Sequence, residues 1–298
     1  MIAIIPYHSP RFGLSEEKRM NKRGLTLIEL LVVLVISSIL IAGIYRTFIG
    51  QQHTYTVQEQ VVDMQQNVRM AINQMVREIR MGGFGRQDTG TSNNGVLGGG
   101  GMHGVYKNVI NPGGLGSITV VAAQQQIGTV KEHAGAGSNF IKVTDPASFD
   151  TALKGYISIN GTESHRIQSI VGDQINFFNL VGLKEAHSVG EPVFLVVAVT
   201  YTRGLSDGKV CLLRDENLGL GPQPVAENID FLQFTYTLAD GTVFVDTVPG
   251  NRRDEIRMVQ VNITAMTDRN DPELAGGGDG FRRRTLTSNI QLRNLSSL

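Results

Sequence analysis

From Leu25 to Ile44 the chain runs for twenty residues with a single charged side chain, Glu29. As a helix rising ~1.5 Å per residue, such a run reaches across the ~30 Å hydrocarbon layer of a bilayer, and it predicts a membrane segment. A secretory signal peptide fits less well. Its apolar core is about 7 to 15 residues long, and Leu40 and Ile41 stand where small residues should precede a cut after Ala42 or Gly43. A plain anchor leaves Glu29 unexplained, because a carboxylate in the apolar layer costs about 2.5 to 3.5 kcal/mol and calls for a partner. The nearest positive group would be an amine at residue 25, which exists only if the chain is cut between Gly24 and Leu25. Glu29 lies four residues beyond Leu25, about 6 Å along a helix. Two such helices sliding past one another by that rise bring the carboxylate of one to the amine of the other, so neither charge stays alone in a low-dielectric bundle. Pairing within one chain is the other geometry open to these groups.

The residues Lys22-Arg23-Gly24-Leu25-Thr26-Leu27-Ile28-Glu29-Leu30, with the apolar run behind them, resemble the class III signal of type IV prepilins and pseudopilins. The resemblance implies that a membrane-embedded prepilin peptidase cuts after Gly24. It also implies that Leu25 becomes an N-methylated mature terminus and that Glu29 is the assembly carboxylate. The family usually has Phe where this chain has Leu25. Residues 63 to 85 also resemble the corresponding part of PilW-like minor pilins, and residues 283 to 295 look similar to those and to GspJ-type pseudopilins. Taken together, these resemblances imply a minor pilin that primes or enters a type IV pilus. Its partners would be the prepilin peptidase and, through the N-terminal helices, other minor and major pilins. The alternatives are a type II secretion pseudopilin and a pilus-tip adhesin or binding module.

Pro6 and Pro10 break any helix ahead of Met20, and Met20 to Gly24 would suffice as a leader, so translation is expected to start at Met20 and the leader to end at Gly24. Lys18, Arg19, Lys22 and Arg23 precede the span and predict a cytoplasmic N-terminus. The body would then lie in the periplasm, anchored in the inner membrane, and afterwards at the cell surface in a pilus.

No proline occurs between Pro10 and Pro112, so the helix is free to continue past the membrane, from Leu25 to Met81. Val57, Val61, Met64, Val68, Ile72, Met75 and Ile79 recur at spacings of three and four and form one apolar stripe. Gly82 and Gly83 supply a left-handed cap. Gly43 and Gly50 are the points where the helix would bend most readily. The stripe covers only about three heptads and has no flanking Glu/Lys pattern, which favours packing onto later strands over a coiled coil.

Residues 82 to 116 read as a polar, Gly-rich connection. Its G-x-G-x-x-G at Gly99, Gly101 and Gly104 has neither the strand before it nor the helix after it that dinucleotide binding needs. From Ser117 the period turns strand-like. Strands are predicted near 118–122, 140–143, 156–159, 166–171, 174–178, 192–201, 209–214, 229–238, 243–246, 255–266 and 284–292. The expected architecture is α+β and pilin-like. A long N-terminal helix packs on an antiparallel sheet formed by residues 201–298, with an extra β-rich module at 117–200.

The 27 basic and 27 acidic side chains balance, which gives no basic surface for nucleic acid. Cys211 is the only cysteine, so an internal disulfide is impossible, and it is expected half-buried in a strand. No histidine pair has metal-ligand spacing, and His103, His133, His165 and His187 are read as turn or surface residues. Asp268, Asn270, Asp271, Glu273 and Asp279 crowd one loop, but Pro272 and their spacing depart from an EF-hand, so a solvated turn is expected. Neither a cofactor nor a catalytic group is expected.

Overall fold

The computed structural model describes residues 24–84, 105–106, 108–146, 155–178, 182–274, 276 and 278–295. The leader with its start at Met20, His103 and the glycine motif between Gly99 and Gly104 lie outside the described residues. The chain divides into two compact units, residues 1–55 and 56–298.

One helix, α1 (Leu27–Met81), passes through both. In the first unit its apolar side chains are exposed, and it is long and apolar enough to cross a membrane by length and composition.

In the second unit, α1 buries Met64, Val68, Ala71, Ile72, Met75 and Ile79. Val61 is half-buried against the same core, whereas Val57 is half-buried outside it, so the stripe becomes a core element only from its third member onward. The strands after it are β1 (Ile110–Gly114), β2 (Ser117–Thr129), β3 (Phe140–Lys142), β4 (Tyr156–Ile159), β5 (Glu163–Val171), β6 (Gln174–Phe177) and β7 (Pro192–Ser206). Then come β8 (Lys209–Asp215), β9 (Gln223–Glu227), β10 (Ile229–Leu238), β11 (Val243–Val245), β12 (Ile256–Met266) and β13 (Arg283–Gln291). Among the described residues they form two antiparallel sheets. The larger runs β1-β2-β7-β4-β5-β6-β3, with β8 and β9 continuing beside β7, and the smaller runs β11-β10-β12-β13.

β1 and β9 escape the sequence pattern, because each carries a proline, Pro112 and Pro224. Both strands lie at edges, where a missing N–H costs no ladder bond. β7 runs unbroken across residues 200 and 201, in place of the expected module boundary. One of its flanks pairs with β2. The other pairs with β4 at Val193–Val196 and then with β8 from Thr200 to Ser206. The strand therefore serves both ends of the large sheet.

The helix stripe covers more than the small sheet. Its core takes Leu232, Phe234 and Tyr236 from β10 and Val259, Val261 and Ile263 from β12, as the period-two alternation implies. It also takes Ile118, Val120, Val199, Tyr201 and Leu212 from the large sheet. A separate core built on Ile141, Ile157, Ile159, Ile175, Phe177 and Val193 fills the module made by β3 to β6 and the start of β7.

The helix ends as its glycines require. Gly83 is left-handed, at φ 79°. Gly82 is there for space, since a Cβ would sit 2.9 Å from the Ile79 carbonyl oxygen and 3.2 Å from methyls of Val109 and Val120. Gly83 N–H then donates to Val121 O (3.0 Å) and Ala123 N–H to Phe84 O (2.9 Å), which stitches the helix exit to β2. The Asn294 amide donates to the Met81 and Gly82 carbonyls at 3.3 and 3.2 Å.

The last turns of α1 also carry an ion pair that the apolar pattern does not announce. Glu78 accepts from the Tyr201 hydroxyl (2.7 Å) and from Arg214 Nε (3.0 Å), with Glu78 and Arg214 side chains only 15 % and 18 % exposed. Burial, then Glu78, pushes the Tyr201 phenol up, so it stays a donor. Glu78→Ala leaves the buried Tyr201 hydroxyl without its acceptor and takes one of two carboxylates from Arg214, which keeps Glu216 at 2.7 Å. We expect it to lower unfolding stability by about 2 kcal/mol in a denaturant titration, the scale for leaving a buried polar group unsatisfied.

Candidate functional site at the start of the helix

The helix begins with a reciprocal pair of side-chain bonds. Thr26 O accepts the first helical bond, from Leu30 N–H at 3.2 Å, which puts Thr26 at the N-cap and Glu29 three residues on. Glu29 N–H donates to Thr26 Oγ1 (3.3 Å), while Thr26 N–H and Thr26 Oγ1–H both donate to Glu29 Oε2 at 3.0 Å. This is a capping box, two otherwise orphaned N–H groups satisfied in one exchange, and the carboxylate also sits at the positive end of the helix dipole. Thr26, a residue to which the apolar pattern assigns no role, thus positions Glu29. Its signal in the sequence is Thr-x-x-Glu before an apolar run.

Gly24 and Leu25 precede the cap and are exposed, and a Cβ on Gly24 would meet nothing within 4 Å. The fold itself places no demand for glycine there. A cut between Gly24 and Leu25 leaves the Thr26 amide intact, so the capping box survives it and the new amine stands one residue ahead of the N-cap. Gly43 and Gly50 lie within α1 without interrupting it, and their faces are equally open.

Elsewhere, the histidines depart from the sequence expectation. His165 and His187 are not surface residues: their side chains are 0 % and 3 % exposed, gathered around Glu163 at 3 %. Glu163 Oε2 lies 2.9 Å from His165 Nε2 and Oε1 lies 2.6 Å from His187 Nε2. His187 Nδ1 lies 2.7 Å from Glu191. With both of its nitrogens against carboxylates, His187 satisfies them only as the imidazolium, since a neutral ring has one N–H. Lys184 N–H adds a bond to Glu163 Oε2 (2.9 Å), and the His165 ring stacks on Phe177 at 4.3 Å. Burial pushes the Glu163 carboxyl up, but the bonds from His165, His187 and Lys184 outweigh it and hold the group well below the usual carboxylate range. Burial likewise pulls His187 down, and the two carboxylates outweigh that and raise it. The cluster ties the 183–191 loop to β5. His165 and His187 stand two and 24 residues from Glu163, a spacing no local motif marks.

The acidic loop is neutralised by cations. Asp271 is buried against Arg282 (2.6 Å), Asp279 pairs with Arg283, and Asp268 lies 3.1 Å from Lys209. Cys211 is fully buried rather than half-buried. Among the described residues no group of three or more His, Cys, Asp or Glu is arranged to hold a metal ion.

Residues 19–45 match the prokaryotic N-terminal methylation motif, which is the class III signal of type IV prepilins. The match brackets Gly24, Leu25, the Thr26–Glu29 capping box and the whole apolar run to Ile44. It supports a type IV pilin-like or pseudopilin protein that is membrane-anchored and handled by a prepilin peptidase. No curated relative and no solved structure matches the chain.

Proposed function

We propose that this chain is a minor pilin, most similar to the PilW type, that primes or joins a type IV pilus after cutting between Gly24 and Leu25 and methylation of Leu25. The observation that carries this reading is the methylation motif centred on a capped helix start, with one carboxylate held at the head of an otherwise apolar run. The N-terminus lies in the cytoplasm and the body in the periplasm until assembly. Glu29 then pairs with the Leu25 amine of a neighbouring subunit, where two charges compensate each other in a medium that tolerates neither alone. The large body, with its two antiparallel sheets, suits a low-copy subunit. The same geometry serves a pseudopilin of type II secretion, and recovery with sheared pili rather than with a secretion complex separates the two.

Mass spectrometry of chain purified from membranes is expected to give a mature species beginning at methylated Leu25; any other start overturns the assignment. Glu29→Ala is expected to be cut normally and to fall at least about tenfold in filament incorporation, the equivalent of 1.4 kcal/mol. Glu29→Gln is the sharper probe, because glutamine keeps the capping box while removing the charge. If Glu29→Gln is incorporated like the wild type, the carboxylate acts only as a cap.

A further inference from the structure

Most of the strands that end the two sheets are closed to further pairing. β1 carries Pro112 and a break in register before Gly114, and β9 carries Pro224 beside another break, between Leu212 and Leu213 on its neighbour β8. β11 is only three residues long. β3 is covered on its free side, where Lys131 N–H donates to Lys142 O (2.8 Å) and Thr144 N–H to Thr129 O (3.0 Å). These are the ordinary devices that keep a sheet edge from capturing another chain.

β13 lacks them along most of its length. It is nine residues long, contains no proline, and pairs with β12 without a break from Arg283 to Gln291. Its charges stand at the first two positions, which leaves residues 285–291 uncharged. The flanking bonds fix which backbone groups are open. Met266 N–H donates to Asn228 O on the β10 side (2.9 Å), whereas Thr267 N–H donates to Arg282 O and Leu292 N–H to Arg257 O, both at 3.0 Å, on the β13 side. Backbone direction alternates along a strand, so Arg284, Leu286, Ser288 and Ile290 turn their groups toward β12. Arg283, Thr285, Thr287, Asn289 and Gln291 turn theirs outward, and among the described residues no backbone group pairs with them.

Side chains follow the same alternation. Half-buried Leu286 and buried Ile290 face the core, and exposed Arg284 stands at the end of that row with no ion pair among the described residues. We propose that the β13 edge takes up an extended strand from a different protein chain, paired antiparallel, with apolar residues opposite Ile290, Ser288 and Leu286 and an acid opposite Arg284. The occupant therefore reads, from its N-terminal end, as three apolar residues at alternate positions with Asp or Glu two positions further on. A second copy fits poorly. Residues 283–291 hold two arginines and no acid, and an antiparallel copy centred on Thr287 sets Arg284 against Ile290. Arg284 thus selects among strands that the bare backbone would accept alike. The inference goes beyond the pilin reading and does not depend on it, since the edge is open whether or not the chain is cut.

The test adds a fluorescently labelled, C-terminally amidated heptapeptide, valine alternating with threonine and glutamate last, to the full-length chain in detergent and follows anisotropy. Saturable binding is expected below about 1 mM. A peptide ending in lysine should bind about fivefold more weakly, and Arg284→Glu should reverse that order. Thr287→Pro is the blocking variant. It removes an outward N–H and no ladder bond, so circular dichroism should stay unchanged while binding falls at least about tenfold. Should it fail to fold, the reversal by Arg284→Glu decides. Absence of saturation, equal binding by the folded Thr287→Pro chain, or no reversal overturns the proposal. So does a wild-type dimer that Thr287→Pro makes monomeric, which would give the edge to a second copy.

Discussion

A Gly24→Ser chain inserts in the membrane and stays uncut, its mass exceeding that of the wild-type mature chain by everything that precedes Leu25. The expectation rests on the proposed prepilin assignment and on the openness of the site. A side chain at residue 24 meets no neighbour within 4 Å, so the folded protein accepts serine without strain. The capping box begins two residues later and is untouched. What the substitution removes is the bare backbone presented to the peptidase, and processing should fall from complete to undetectable while far-ultraviolet circular dichroism stays unchanged. Cutting at the wild-type rate would remove Gly24 from the recognition site. Loss of helix signal would point instead to a folding role that the geometry does not contain.

Removing Glu163 should be the most damaging single change in the body. Glu163→Ala takes the acceptor from His165, His187 and the Lys184 N–H at once, at a site only 3 % exposed. A loss of about 3 to 5 kcal/mol is expected in denaturant unfolding, read as separate early melting of the β3–β6 module if the two cores part company.

The wild-type protein should also show a bounded pH range of stability. Glu163 has a folded pKa below its ordinary 4.5, so its contribution is complete above about 4.5 and is lost as pH falls toward the folded value. His187 has a folded pKa above its ordinary 6.5, so its contribution is complete below about 6.5 and is lost as pH rises through the raised value. Glu191, also lowered, reinforces the acid side, and His133 adds a distant attraction to it. Melting temperature is therefore expected to peak between about pH 4.5 and 6.5. Glu163→Gln, which keeps shape and one acceptor, should lower and flatten that peak. A profile identical to the wild type would show that the cluster is held by packing alone.

The parts of this protein legible in the sequence are those where one period dominates. The alternation of Leu232, Phe234, Tyr236 and Leu238 against Phe231, Gln233, Thr235 and Thr237 identifies β10 to the residue, and the three-and-four spacing from Met64 to Ile79 identifies the buried face of α1. Prolines hide β1 and β9, because a proline argues against a strand unless its edge position is known. Polar contacts between distant segments are hidden for a different reason. Glu78 reads as one more charge on a helix until Arg214 and Tyr201 are folded against it. His165 and His187 carry no local sign of the carboxylate they share. The capping box at the helix start escapes the apolar pattern too, yet it leaves a local signal, Thr-x-x-Glu before an apolar run, because both partners lie within one turn.

The Asn294 amide holds the Met81 and Gly82 carbonyls, the second of them 212 positions earlier in the chain. At roughly 5 to 20 residues per second, a ribosome needs on the order of 10 to 40 s to travel from one to the other. The anchor has emerged long before the residue that seals the exit of its helix exists. During that interval the helix exit stays unsealed, and a holding chaperone has time in which to act on it.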